Sequence, residues 1–423
     1  MTSTYRINYQ LKSHKRDALI EFIKTCLQTS FVLYDESDYD DRDADLKQQR
    51  AARKEQKIQL NLRRYTEVME SVEALIQDHI ACHQKGIPEH SRLFRLVPTV
   101  STFFTPLPLK DAFLKANAQN SIAARKYVPP SFNDIRRILN TAQVQAIADT
   151  LQLITFDGDM TLYADGQDFE HDSELVQLLV HLLQCDLYVC VVTAAGYGND
   201  AVRYEGRLSG LLRGFTAHNV PEHQLKRFYV LGGECNFLFQ CRKDGHLHYI
   251  PEDEYQPDSI RAWSQDMSRI SRLLDIAQSN LEDCVRNMGL HASVIRKPKA
   301  DECVLSTQFR LLQYQRSPSV LAAPLPFCAF NGGSDVWVDI GNKLIGVQIL
   351  QDYLGADPAR TLHVGDQFLS TGNDYATRAS CCTLWIISPA ETQQVLKELN
   401  QLLRRSCDHD IDGTIDAIVN KSG

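Results

Sequence analysis

The chain has 423 residues, 43% of them hydrophobic and 23% charged, which leaves room for two or three domains with substantial cores. A formal charge of −8 argues against a nucleic-acid-binding surface, although a local basic pocket for one phosphate fits within it. The twelve cysteines lack a framework spacing, the opening MTSTYRINYQLKSHKRD has no apolar signal core, and no uninterrupted apolar run would span a bilayer; the expectation is a reduced, cytoplasmic protein with no membrane or nucleic-acid partner.

Residues 1–149 read as a helical region, with helices over Lys15–Leu27 and about Ala44–Ala81. The acidic run Asp35–Asp43 stands before the long helix and Lys47, Arg50, Arg53, Lys54 and Lys57 follow it, an order that complements the helix dipole. His79 and His83 stand four apart with Cys82 between them, but no acidic general base lies between the imidazoles, so ordinary helix-end histidines are expected and not a zinc site. Prolines from Pro98 to Pro108 and at Pro129 and Pro130 punctuate the route into the next region.

An apolar run, Leu151–Phe156, then ends in Asp157-Gly-Asp159-Met-Thr161, which puts two carboxylates at the carboxyl end of a buried strand, where open α/β sheets bind their ligands. One acid can attack phosphorus while the other protonates the leaving oxygen, and so close a pair of like charges implies a divalent cation. Leu175–Val192 reads as a helix followed by a second strand that ends at Thr193, whose hydroxyl and N–H suit a phosphoryl oxygen. Residues 201–330 are too long for a loop. With strand signals at Phe228–Glu234 and Leu247–Ile250 and a helical pattern over Ser259–Met288, they read as an inserted α+β cap over the strand ends.

Residues 331–423 resume the core. Phe330-Asn-Gly-Gly-Ser-Asp335 is a turn-rich return from the cap, and Lys343 opens an amphipathic helix where it would offset charge on the nucleophile and the transferring group. A third strand ends at Gly365-Asp366, with Asp374 shortly after, and these acids would complete an oxygen-rich site suited to Mg²⁺. Cys381 and Cys382 precede an apolar run and read as buried thiols.

Taken in order, the four segments resemble the motifs of the haloacid dehalogenase-like phosphohydrolases. FDGDMTLYADG, FNGGSDVWVDIGNK, HVGDQFLSTGNDYATR and the earlier RKYVPPSFNDIRRILN are similar to those of the IMP-specific 5'-nucleotidases, from roughly residue 90 onward. The stretch between Asp366 and Asp374 is shorter than in the fungal members, which leaves open which of these acids touches the metal directly. The resemblance implies a Rossmann-like parallel sheet with an inserted cap, and a Mg²⁺-dependent enzyme of purine nucleotide catabolism or salvage that cleaves IMP to inosine and phosphate through an aspartyl phosphate. On it Asp157 is the nucleophile and Asp159 the acid and base; Thr193 and Lys343 hold the phosphoryl group; Asp165 and Asp335 contact the nucleotide; and Asp157, Asp366 and the Asp159 carbonyl bind the metal. It further implies a homo-tetramer with ATP as an allosteric effector, for whose phosphates Lys126, Arg136 and Arg137 are candidates. The alternatives are a sugar phosphomutase or a broad-specificity phosphatase of the same superfamily, and a nucleotide-sensing module on a retired hydrolase fold.

Overall fold

The structure, a computed structural model, describes residues 17–30, 44–125, 128–287, 289, 291–297, 299–305, 325–331 and 335–403. It divides the chain into two compact units, Met1–Ala146 and Ile147–Gly423.

The first unit is helical: α1 Ala18–Ser30, α2 Ala44–Gln84, α3 Leu109–Asn120 and α4 Phe132–Ile147. Most of α2 is polar, yet Tyr65, Met69, Val72, Ile76 and His79 alternate steps of four and three and are all buried, a single stripe that needs neighbours to cover it. Phe113 of α3 meets the Tyr65 ring edge-on at 6.0 Å. Both histidines near the end of α2 have protein partners: Nδ1 of His79 lies 2.7 Å from the Ser91 hydroxyl and Nε2 of His83 lies 3.0 Å from that of Thr102, as expected of ordinary histidines. Arg136 is buried and Arg137 beside it is exposed, while Lys126 and the acidic run Asp35–Asp43 lie outside the described residues.

The second unit contains a seven-stranded sheet of order β11-β10-β1-β2-β3-β4-β5. Its strands are β1 Leu153–Phe156, β2 Tyr188–Val192, β3 Phe228–Gly232, β4 Phe237–Cys241, β5 Leu247–Ile250, β10 Thr361–Gly365 and β11 Cys382–Trp385. From β11 to β3 every pairing is parallel, whereas β4 and β5 add on antiparallel. Leu175–Val192 splits as expected into α5 Glu174–Gln184 and β2. Between β2 and β3 lies α6 Ala201–Arg207. No described helix is long and apolar enough to cross a membrane.

A second, antiparallel sheet has the order β6-β7-β9-β8, from Ala292–Lys297, Ala300–Leu305, Asp335–Ile340 and Phe327–Asn331 respectively. Two helices precede it, α7 Asp258–Ser264 and α8 Met267–Asn287, within the helical pattern expected over Ser259–Met288. In α8, Ala277 and Leu281 pack on Ala329, Val336 and Val338 of the sheet. This corrects three strand assignments. Phe228–Gly232 and Leu247–Ile250, expected in the cap, belong to the seven-stranded sheet; β9, expected with the core, belongs to the cap sheet. The reason is legible in burial, since every residue of β3 is buried, as a strand sandwiched in a parallel sheet must be. The chain then enters α9, Lys343–Leu354, whose first turn is capped by Asn342 accepting from the Ile345 N–H at 2.9 Å.

Candidate active site

Three adjacent parallel strands end at one place. Asp157 follows β1, Thr193 follows β2 and Asp366 follows β10, so strand order alone gathers residues more than two hundred positions apart. At the centre is the Lys343 ammonium, wholly buried at the start of α9. It donates to Asp157 Oδ1 at 2.6 Å and to Asp374 Oδ1 at 2.7 Å. His363 and Thr155 are cross-strand partners on β10 and β1, and their side chains extend the chain of contacts: His363 Nε2 is 3.0 Å from Asp374 Oδ1 and Nδ1 is 2.8 Å from the Thr155 hydroxyl. An ionised carboxylate can only accept, so Nε2 carries the imidazole proton and Nδ1 accepts from Thr155. Burial holds the His363 imidazole below its usual pKa, in keeping with that neutral form.

Carboxylate oxygens of Asp157, Asp366 and Asp374 lie within 4.8 Å of one another. Burial opposes ionisation at all three, but the outcomes differ. Lys343 and the His363 hydrogen bond outweigh it at Asp374 and hold that carboxyl well below the usual range. At Asp157 burial prevails over Lys343 and, with the Asp374 and Asp366 charges, raises the carboxyl well above its ordinary value; at Asp366 burial and Asp374 push it up to about 7. Lys343 itself is held charged: burial works against the ammonium, and Asp157, Asp374 and Glu234 overcome it. One ammonium thus neutralises one of three carboxylates. The remaining two belong to an acidic group that could hold a metal ion, and Asp366 Oδ1 is buried with no hydrogen-bond partner among the described residues.

The backbone is shaped for this cluster. A Cβ on Gly365 would lie 2.4 Å from the Asp374 carboxyl carbon, and one on Gly158 would lie 2.3 Å from the Tyr163 hydroxyl. The Gln367 N–H donates to Asp374 Oδ2 at 2.9 Å and the Trp385 indole donates to the Asp366 carbonyl at 2.9 Å.

The other expected residues sit at different removes. Thr193 is buried, accepts the Ala195 N–H at 3.1 Å, and borders Gly158 beside Asp157. Asp159 lies outside the three-carboxylate cluster; its Oδ1 accepts from Arg207 Nη2 at 2.7 Å and from the Gly166 N–H at 3.1 Å. Asp165 is exposed on the same loop, and Asp335 opens β9 of the second sheet, paired with Val304. Cys381 and Cys382 are buried thiols, as expected.

His363, Glu234, Asn373 and Arg207 were not read from the sequence. Glu234 is wholly buried, accepts from Asn373 beside Asp374 at 2.9 Å, and has its carboxyl pushed up to about 7, chiefly by burial. It ends the apolar run of β3 after two glycines, the signature that marked Asp157, but assigning that run to the cap hid it. His363 had no such signal inside its own strand.

A family model described as IMP-specific 5'-nucleotidase matches residues 1–396. The chain belongs to that family. It is similar to IMP-specific 5'-nucleotidase 1 of Yarrowia lipolytica, 41% identical over 418 residues that cover 94% of this chain and 97% of the relative. The Schizosaccharomyces pombe relative is 38% identical, with 96% and 100% covered. Among solved structures, an IMP-bound mutant of Plasmodium falciparum IMP-nucleotidase superposes with a TM-score of 0.78 at 34% identity, covering 92% of this chain and 94% of that one. An ATP-bound form of the same protein gives 0.73 at 34% identity, covering 94% and 88%. A member of the IMP-specific 5'-nucleotidase family is an enzyme, a phosphoric monoester hydrolase.

Proposed function

We propose that this nucleotidase is Mg²⁺-dependent and converts IMP to inosine and phosphate in two displacements at Asp157. The observation that carries the reading is the imbalance of three converging carboxylates, Asp157 and Asp374 buried and Asp366 half-buried, against one ammonium. Asp157, Asp366 and the Asp159 carbonyl would hold the ion; when bound, it supplies the two positive charges that leave both unneutralised acids ionised beside an anionic phosphate. Lys343 spends two of its three N–H donors on Asp157 and Asp374, so the third is left for a phosphoryl oxygen, with the Thr193 hydroxyl and N–H on another.

In the first step an Asp157 oxygen bonds to phosphorus as the P–O5' bond breaks and Asp159 gives a proton to the departing ribose oxygen. In the second, water attacks the aspartyl phosphate, Asp159 takes the water's proton, and the P–O bond to Asp157 breaks to release phosphate. IMP as substrate is supported by the names of the relatives and by the IMP-bound Plasmodium protein. ATP as an effector is supported by the ATP-bound form of that protein, and assembly as a tetramer by the family resemblance. A substrate screen across IMP, AMP and GMP, with no bisphosphate activator added, tests the reading. Phosphate released from IMP with clearly higher kcat/KM than from the other two is expected; equal efficiency would reduce the enzyme to a general phosphatase, and dependence on a bisphosphate would favour a mutase.

A further inference from the structure

The carboxylate of Asp159 is held by one oxygen only. Arg207 Nη2 and the Gly166 N–H both donate to Oδ1, and Oδ2 has no partner among the described residues. The guanidinium that does this is itself fixed on the loop that carries Asp159. Its Cζ stands 4.9 Å from the Tyr163 ring centroid, its Nη1 reaches Asp168 at 3.4 Å, and the Phe169 N–H donates to the Arg207 carbonyl at 2.8 Å. Tyr163 in turn wedges against Gly158, between the two early acids. Arg207 therefore grips residues 159–169 at four points from α6, the helix that follows the Thr193 strand.

We infer that Arg207 is a positioning residue for proton transfer: it fixes Asp159 through Oδ1 so that Oδ2 is the atom that gives the proton to O5' and then takes one from water. The inference rests on the reading of Asp157 and Asp159 above. A carboxylate free to rotate about its χ angles would spend most of its time misdirected, and positioning of the proton donor is part of the roughly 10² to 10⁴ that general acid–base catalysis supplies.

The two steps respond differently to the loss of such a group. A ribose alkoxide needs a proton to leave, whereas p-nitrophenolate does not, and the water attack needs a base with either substrate. The test is rapid-quench kinetics of the full chain with IMP and with p-nitrophenyl phosphate, on wild type, Arg207→Met, which keeps the stem over Tyr163, and Arg207→Lys. For Arg207→Met the expected result is a kcat on IMP lower by roughly 10- to 100-fold, with KM changed by less than about threefold. With p-nitrophenyl phosphate the first-turnover burst keeps its rate while the steady state slows, and Arg207→Lys recovers part of the loss. Equal slowing of the first turnover with both substrates, or a change confined to KM, would overturn the inference and leave Arg207 as a loop staple. Absence of any phosphorylated wild-type enzyme in the quenched samples would instead remove the underlying two-step reading.

Discussion

An alanine at Gly365 would place its Cβ 2.4 Å from the Asp374 carboxyl, so the carboxylate or the strand end has to move. Gly365→Ala is expected to cost about 1–3 kcal/mol in urea unfolding, the usual range for overpacking, and to raise the Mg²⁺ concentration needed for half-maximal activity; an unchanged metal requirement would separate Asp374 from the metal site. Lys343→Met removes the single ammonium from between Asp157 and Asp374, and breaking a buried pair from one side costs about 3–5 kcal/mol. Mg²⁺ is expected to recover part of that stability without recovering activity, which differential scanning of the variant with and without the ion would show. Asp157, Thr193 and Asp366 were legible as candidates because chemistry at a strand end interrupts an apolar run, and Lys343 because it opens an amphipathic helix. His363 and Arg207 were not: one is buried within its strand and recognisable only by its neighbour across the sheet, and the other lies on a helix whose contacts with residues 159–169 no spacing encodes.

Elements place these groups, and their ends are where they can be weakened. Asn342 caps α9 immediately before Lys343, so Asn342→Ala is expected to lose about 1 kcal/mol of stability and to lower kcat by loosening the first turn that carries the ammonium. Loss of stability without loss of kcat would show that Lys343 is held by its carboxylates alone. In the helical unit, Arg125 grips Asp134 through two nitrogens at 2.6 and 3.0 Å, joined by Ser131. Burial opposes ionisation of Asp134, but these donors prevail and depress its carboxyl below the ordinary value. A depressed folded-state pKa means stability that is fully present above the unfolded value of about 4 and is lost as pH falls through the folded one. The stability difference between wild type and Asp134→Asn should therefore be flat near neutral pH and shrink below about pH 4, read from urea midpoints; a difference independent of pH would contradict it. Helices α1, α2, α5, α8 and α9 and the strands β1, β2 and β10 were readable from periodicity and apolar runs, whereas α3, α4 and α6 were not. The cap boundary was not, because a continuous apolar strand such as β3 looks alike whether it extends the central sheet or begins an insertion.

Across the whole molecule, the charge balance of the site makes the proposed dependence on a hard divalent cation the property most open to test. Chelation is expected to abolish phosphate release from IMP and Mg²⁺ to restore it, with Zn²⁺ a poor replacement because carboxylate and water ligands in octahedral array suit the harder ion. Activity surviving exhaustive chelation would remove the ion from the reading. The parallel sheet, the presence of a cap and the order of the motifs could be read along the chain; the network Thr155–His363–Asp374–Lys343–Asp157 could not, since it exists only once β1, β10 and α9 are packed. Asp157 is proposed to carry the phosphoryl group, and the most direct measurement is acid quenching of the enzyme during turnover of IMP labelled in its phosphate, followed by peptide mapping. Label is expected on the peptide that contains Asp157 in wild type, and neither label nor turnover in a folded Asp157→Asn. Wild-type turnover with no protein-bound label, together with near-normal phosphate release by Asp157→Asn, would contradict it.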